Sequence, residues 1–309
     1  MSTISNDKFQ FVKRDDFASE AIDAPAYSYW GSVFRHFLKK KSTIIMLGIL
    51  ISIVLMSFIY PMFSDFDFND VSKVNDFSAR YIKPNAEHWF GTDKLGRDVL
   101  SRVIYGTQLS LFMGVTIVVI MVSVGTIIGA AAGYFGGKVE MVLMRITDIM
   151  LSFPGIVLAI AIAGILGGSI VNTILALSVV GWAKYARIVR SMTLKVRGEE
   201  YVTAAVMMGA NTSTILRRHI IPNIMPLVIT TGALDIGAIM IEVAGLSFLG
   251  FGAQPPTPEW GLMLNEGRQY LQPSPWLMAF PGISILIVVA IFNLWSDSLR
   301  DVVDPKNQG

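Results

Sequence analysis

The chain has no cysteine in 309 residues, which excludes disulfides, thiolate metal sites and cysteine nucleophiles while leaving the compartment open. Its three histidines, His36, His88 and His219, fall in separate polar segments and build no evident metal cage. Neither His-Glu-x-x-His nor Gly-x-Ser-x-Gly occurs, so an intramembrane enzyme is disfavoured and no catalytic residue is named. A phosphate-binding loop is missing too. Gly136-Gly137-Lys138 is followed by Val139 and preceded by Ala132 where a Walker motif needs Ser or Thr and Gly, so the segment reads as a tight turn. No duplicated or inverted half is visible, which argues against a self-contained transporter built from repeats. Charge is also scarce: 16% of residues are charged against 53% hydrophobic, with a mean hydropathy of +0.56. That balance is too apolar for a soluble domain of this length.

What is present is a series of apolar runs: Thr43–Phe63, Leu109–Ala132, Val142–Leu166, Ile170–Ala183 with its continuation, Ile224–Leu249 and Trp276–Trp295. A bilayer core about 30 Å thick takes roughly 20 such residues per helix. Backbone polar groups in lipid must be satisfied within the segment, so the expected fold is an all-α integral membrane protein with six transmembrane helices. The net charge of +2 arises from basic residues placed by topology, not gathered into a nucleic-acid surface. Lys39-Lys40-Lys41 precede the first run, and Lys184, Arg187, Arg190, Lys195, Arg197, Arg217 and Arg218 fill the connection between the fourth and fifth. By the positive-inside rule both termini and the Lys184–His219 connection are assigned to the cytoplasm. The Ser64–Thr107 loop is assigned outside despite six basic residues, because it is long and also carries seven acidic ones. The polar first 42 residues make the first run an uncleaved signal anchor.

Smaller features follow from spacing. Residues 1–42 read as a tail and surface helix, with Tyr27, Tyr29, Trp30, Phe34 and Phe37 suited to the lipid interface. Asp65-Phe-Asp-Phe-Asn-Asp70 lacks the glycine turn and terminal glutamate of a calcium loop and reads as a solvated acidic loop. Gly125, Gly129 and Gly133 share one helix face and permit close packing. Pro154-Gly155 and Pro281-Gly282 are expected to bend their helices. Asp98 and Arg102, four apart, are positioned for one helical ion pair. The Pro255-Pro256-Thr-Pro258 run is stiff, and Trp260 is placed as an interface anchor.

Two constellations stand out. The first is polar and lies between apolar runs, from Arg197 to Pro222. Glu199 and Glu200 suit a helix N-terminus, Tyr201–Met208 a short helix, and Gly209 a reversal. Asn211 to Thr214 offers caps for a second helix that carries Arg217 and Arg218 and stops at Pro222. Such an exposed helix-turn-helix suits docking into a groove on another protein. The second is Asp235 and Glu242, about two turns apart on one face of the fifth run. An acid at mid-membrane costs about 2.5–3.5 kcal/mol and normally faces a bundle interior or water. The pair either lines a cation-tolerant solute path or hydrogen-bonds to a neighbouring helix.

Thr203-Ala204-Ala205, Gly209 and Ile221-Pro222 resemble the EAA signature of permease subunits of ATP-binding-cassette importers: Glu-Ala-Ala, three residues, Gly, nine residues, Ile-x-Leu-Pro. Thr203, His219 and Ile221 depart from that pattern, while the glycine and proline spacings match it. His88–Arg102, Gly245–Gly252, Gln254–Gly261 and Leu299–Pro305 are similar to the C-type permease of dipeptide, oligopeptide and nickel uptake systems. The resemblance implies a MetI-like core of five helices plus one extra N-terminal helix. It divides the chain into a tail at 1–42, a first helix and outer loop at 43–106, and a core at 107–309 with a coupling element at 197–222. In that element Glu199, Glu200, Thr203, Ala204, Ala205, Gly209, Arg217 and Pro222 would face the ATPase. The implied partners are a B-type permease, two ATPase subunits, an extracytoplasmic solute-binding protein or lipoprotein, and membrane lipid. The implied activity is import of peptides across a bacterial cytoplasmic membrane by alternating access, with nickel or a metal chelate as the alternative cargo. No cofactor is expected in the chain itself, since ATP and magnesium would sit on the partner ATPases. The segment Gly91–Arg102 reads as an interfacial shelf, and the proline-rich loop as a contact for the binding protein, a gate or simple packing.

Overall fold

A computed structural model describes residues 40–63 and 77–303. The interfacial aromatics before residue 40, the Asp65–Asp70 segment, and the stretch from Asp304 onward lie outside the described residues. Ten α-helices are described: α1 (Lys41–Phe63), α2 (Val99–Phe135), α3 (Gly137–Ser152), α4 (Gly155–Leu166), α5 (Ile170–Arg197), α6 (Glu200–Met207), α7 (Thr212–Ile215), α8 (Ile221–Phe248), α9 (Trp260–Gly267) and α10 (Trp276–Val303). No strand occurs among the described residues. Helices α1, α2 and α10, together with the run from α7 through α8, are long and apolar enough to cross a membrane, and the bent pair α3 and α4 makes up to five such units.

Helix α2 is the axis of the fold, and three apolar clusters stack along it. Val99, Val103 and Leu111 pack with Trp260, Trp276 and Phe292; Met113, Ile117 and Met121 pack with Leu177, Tyr185 and Leu246; Ala130 packs with Val189, Val202 and Ile220. Its 37 residues span about 55 Å at 1.5 Å per residue, so it extends well beyond a hydrocarbon core. The helix therefore starts earlier than its apolar run, and the expected boundary at 106/107 falls inside it. Along its C-terminal third, a Cβ on Gly125, Gly129 or Gly133 would lie under 3.0 Å from atoms of Tyr185, Ala186 or Thr193 on α5. The glycine stripe is thus what lets α2 and α5 touch backbone to backbone.

The run Val142–Leu166 is not one loosened helix. Phe153, forced toward extended backbone by the following proline (φ −92°, ψ 144°), ends α3, and α4 leaves at 89°. Pro281, by contrast, is carried within α10, which continues through it. The connection expected from Lys184 is helical as far as Arg197, the end of α5.

The N-terminal end of α2 carries a charged knot. The guanidinium of Arg97 donates to Asp93 at 2.6 Å, and that of Arg102 donates to Asp93 at 2.7 Å and to Glu266 at 2.8 Å. Lys94 lies 3.3 Å from Glu266. The expected Asp98–Arg102 pair does not form. Asp98 is the N-cap of α2, accepting from the Ser101 N–H at 2.8 Å and facing His88 at 3.1 Å, so its carboxylate is turned away from Arg102. Trp260 is not an interface anchor either: it is 1% exposed and donates its indole N–H to the Val103 carbonyl at 2.9 Å.

Candidate functional site

The element from Gly198 to Pro222 sits at the other end of α2. Helix α6 begins at the exposed Glu199 and Glu200 and buries Val202 and Ala205. It stops in a Schellman arrangement: the Gly209 N–H donates to Val206 and the Ala210 N–H to Ala205, with Gly209 at φ +82°. A side chain at that φ is strained, which is the physical reason for glycine there. Asn211 then caps α7, its side chain accepting from the Thr214 N–H at 2.8 Å.

Pro222 does not stop the second helix. Residues Leu216–Ile220 form a π turn, in which the Ile221 N–H reaches back to the Leu216 carbonyl. The widened turn accommodates the proline, whose ring would otherwise meet the carbonyl four residues earlier, and Pro222 lies in the first turn of α8. Helix α7, the π turn and α8 are consequently one continuous rod.

Of the residues read as an outward contact, Glu199, Glu200, Thr203, Ala204, Gly209 and Arg217 are exposed, and Pro222 is half-buried. Ala205 is different. It is 6% exposed and lies beneath α6, so it positions the helix and offers no outer surface. Val202, Ile215 and Ile220 anchor the element against Ala130, Val189 and Val196. Two residues not singled out in the sequence complete its outer face: Met207 and Met208, each 82% exposed, form an apolar tip beside Gly209. Their signal was an apolar pair directly before a helix-ending glycine.

Asp235 and Glu242 line a common cavity of about 210 Å³ between α2, α5, α8 and the α3–α4 break. Asp235 accepts from Lys184 Nζ at 2.7 and 2.8 Å and from the Tyr185 hydroxyl at 2.7 Å. Asp235 thus faces the cavity and also bonds to a neighbouring helix. Lys184 and Tyr185 were missed as site residues. Lys184 was read as a topology charge, since nothing in its local spacing names a partner 51 positions away. The neighbouring bases of α5 are also paired: Arg187 with Asp148 at 2.7 Å, and Arg190 with Glu140.

A family model described as binding-protein-dependent transport system inner membrane component matches residues 125–309. The chain belongs to this family. A second model, the N-terminal TM domain of oligopeptide transport permease C, matches residues 28–84 of this permease. The permease is 42% identical over 306 residues to the oligopeptide transport system permease protein AmiD of Streptococcus pneumoniae, covering 99% of each chain. It is 42% identical over 281 residues to the dipeptide transport system permease protein DppC of Alkalihalophilus pseudofirmus, covering 91% of each. Its fold is similar to a chain of the MetNI methionine ABC transporter, solved in inward-facing conformations, with a TM-score of 0.54 at 19% identity over 66% of this chain and 97% of that one. With its long apolar helices the permease is a multi-pass membrane protein, a transport component and not an enzyme.

Proposed function

We propose that this permease forms half of the pore of an ATP-driven importer for oligopeptides or dipeptides in a bacterial cytoplasmic membrane. Its relatives named for those cargoes support peptides over the nickel or metal-chelate alternative. In this reading α5 is a sixth span, its bases neutralised by Asp148, Glu140 and Asp235, and α1 is the extra N-terminal helix outside the five-helix core. Residues 1–42, 43–106 and 107–309 act as tail, first helix with outer loop, and core. Both termini and the α6–α7 element face the cytoplasm. The second half of the pore is a B-type permease, two ATPases bind ATP and magnesium, and an extracytoplasmic solute-binding protein or lipoprotein delivers cargo.

One observation carries the mechanism: α7, the π turn and α8 are continuous, so a displacement of the exposed α6–α7 tip becomes a tilt of the helix that lines the cavity. The ATPase pair closes on nucleotide, the tip follows its docking groove, and α8 swings the cavity toward the loaded binding protein. Hydrolysis resets it. Glu199, Glu200, Thr203, Ala204, Gly209 and Arg217 contribute the docking face, Ala205 its support, and Pro222 the junction with α8.

The absence of native cysteine makes the test clean. A single cysteine introduced by Ala204→Cys, paired with cysteines in the ATPase groove, is expected to crosslink in the assembled complex and to halt peptide uptake until reduced. No crosslink at Ala204→Cys or at Met207→Cys, in a complex that still imports peptide, rules out the docking assignment.

A further inference from the structure

The central cavity holds three charged side chains, and they are not equally served. Asp235 has both amine contacts from Lys184 and a third hydrogen bond from Tyr185. Glu242 has no hydrogen bond or ion pair among the described residues, although it lies in the same helix and opens into the same space. One cation therefore stands against two carboxylates. The remaining walls are largely apolar, with Met121, Leu177, Val180 and Ile239 among them, so they cannot stabilise a lone charge. At 210 Å³ the space is smaller than a pocket for a whole small ligand, roughly 300–1,000 Å³, so on this chain it has room for only part of a peptide.

We propose that Glu242 receives the α-ammonium group of the passing peptide, with Asp235 held in place by Lys184 and Tyr185 as its fixed neighbour. The proposal rests on the import reading above and adds to it a chemical requirement on the cargo, a free positively charged amino end. Glu242 supplies the charge opposite the ammonium. Lys184 stays bound to Asp235, and the seven-residue spacing puts the two carboxylates about 10 Å apart along the helix axis. The apolar walls leave that charge unscreened and its hydrogen bond to the ammonium strong.

The test uses the complete importer in proteoliposomes and a peptide pair that its binding protein loads equally, one with a free amino end and one N-acetylated. At saturating loaded binding protein, the wild type is expected to import the free peptide about tenfold faster than the acetylated one, the size of one charge-assisted hydrogen bond. Glu242→Gln is expected to erase that preference while ATP hydrolysis stimulated by the binding protein is retained. Glu242→Asp is expected to keep part of it. A Glu242→Gln complex that still prefers the free peptide overturns the proposal. So does one that loses its second permease subunit on purification, because the carboxylate then pairs across the subunit interface. Failure of the coupling reading would show differently, as stimulated ATP hydrolysis and import kept at the wild-type level in bulky or charged Ala204 and Met207 variants, with the amino-end preference unchanged.

Discussion

Two charged clusters of this permease each hold one aspartate and one glutamate and are closed to different degrees. Beside α9, Asp93 and Glu266 are enclosed by Arg97, Arg102 and Lys94, and both guanidinium side chains are less than 5% exposed. Halfway along α8, Asp235 is served by a lysine that is 50% exposed, and Glu242 has no hydrogen bond or ion pair among the described residues. Removing charges from water costs several kcal/mol per ion, and the cost is met only where every lone pair and proton finds a partner. The closed cluster meets that condition and ties the 92–97 turn, α2 and α9 into one body. The open one leaves a carboxylate available. Full satisfaction marks a structural joint, and the unsatisfied group marks the place where a visiting solute can add the missing partner.

The strongest way to break the comparison is to open the closed cluster. Arg102→Met removes one of the two guanidinium groups that Asp93 and Glu266 share, Arg97 being the other, and is expected to cost about 3–5 kcal/mol, because a buried, paired cluster is left one cation short. The expected readout is a large fall in the thermal midpoint in detergent, followed through the native tryptophans. Acid probes the same joint. Burial pushes Glu266 up, but Arg102 and Arg97, helped by Lys94, outweigh it and hold the carboxyl at about 2. A lowered folded value means that its stabilisation is complete above the ordinary value of 4.5 and is lost as pH falls from there toward 2. Lowering the pH from 7 to 5 should therefore leave this contribution intact, and a loss confined to that interval would contradict the cluster as described.

A smaller effect is expected at the α2–α5 seam, beside the open cluster. Gly129→Val places side-chain atoms against the backbone of Ala186 and Arg190, which cannot move aside as a flexible side chain would. The expected cost is about 1–3 kcal/mol. Because Tyr185 and Lys184 sit on the displaced helix, the distance to Asp235 should grow as well. Import should then fall more than the thermal midpoint suggests. A variant with a lowered midpoint and normal import per folded complex would separate the seam from the cavity.

What was legible in the sequence follows from the range of the interaction. The glycine stripe, the reversal at Gly209 and the Asn211 cap are set within one or two turns, and their residue types announce them. The α3–α4 corner was visible as Pro154-Gly155, though its sharpness was not, because a proline kink and a proline break begin alike. Pro222 misled for the related reason that a π turn, invisible in local propensity, lets a helix continue past it. The charged clusters were read least well. Asp93 and Glu266 are brought together across the whole core, and Lys184 meets Asp235 only because the glycine stripe brings α2 and α5 together beside α8. Spacing along one helix suggested an Asp98–Arg102 pair, yet the cap position claimed Asp98 and the buried carboxylates claimed Arg102. Bases at 184, 187 and 190 do recur every three residues, the one local hint that they share a face.

That face offers the mildest test. Arg187 and Asp148 form an ion pair at 2.7 Å in which each side chain is 56% exposed, so solvent screens the attraction and ordering two side chains offsets part of it. Arg187→Gln is expected to change stability by at most about 1 kcal/mol, and to leave import and the amino-end preference as in the wild type. Arg187 lies one helical turn beyond Lys184, close enough to share its surroundings but on a pair that water already serves. If Arg187→Gln nevertheless abolished the preference for a free amino end, selectivity would depend on the charge of the whole α5 face. An unchanged preference, beside its loss in Glu242→Gln, localises it to the Glu242 carboxylate.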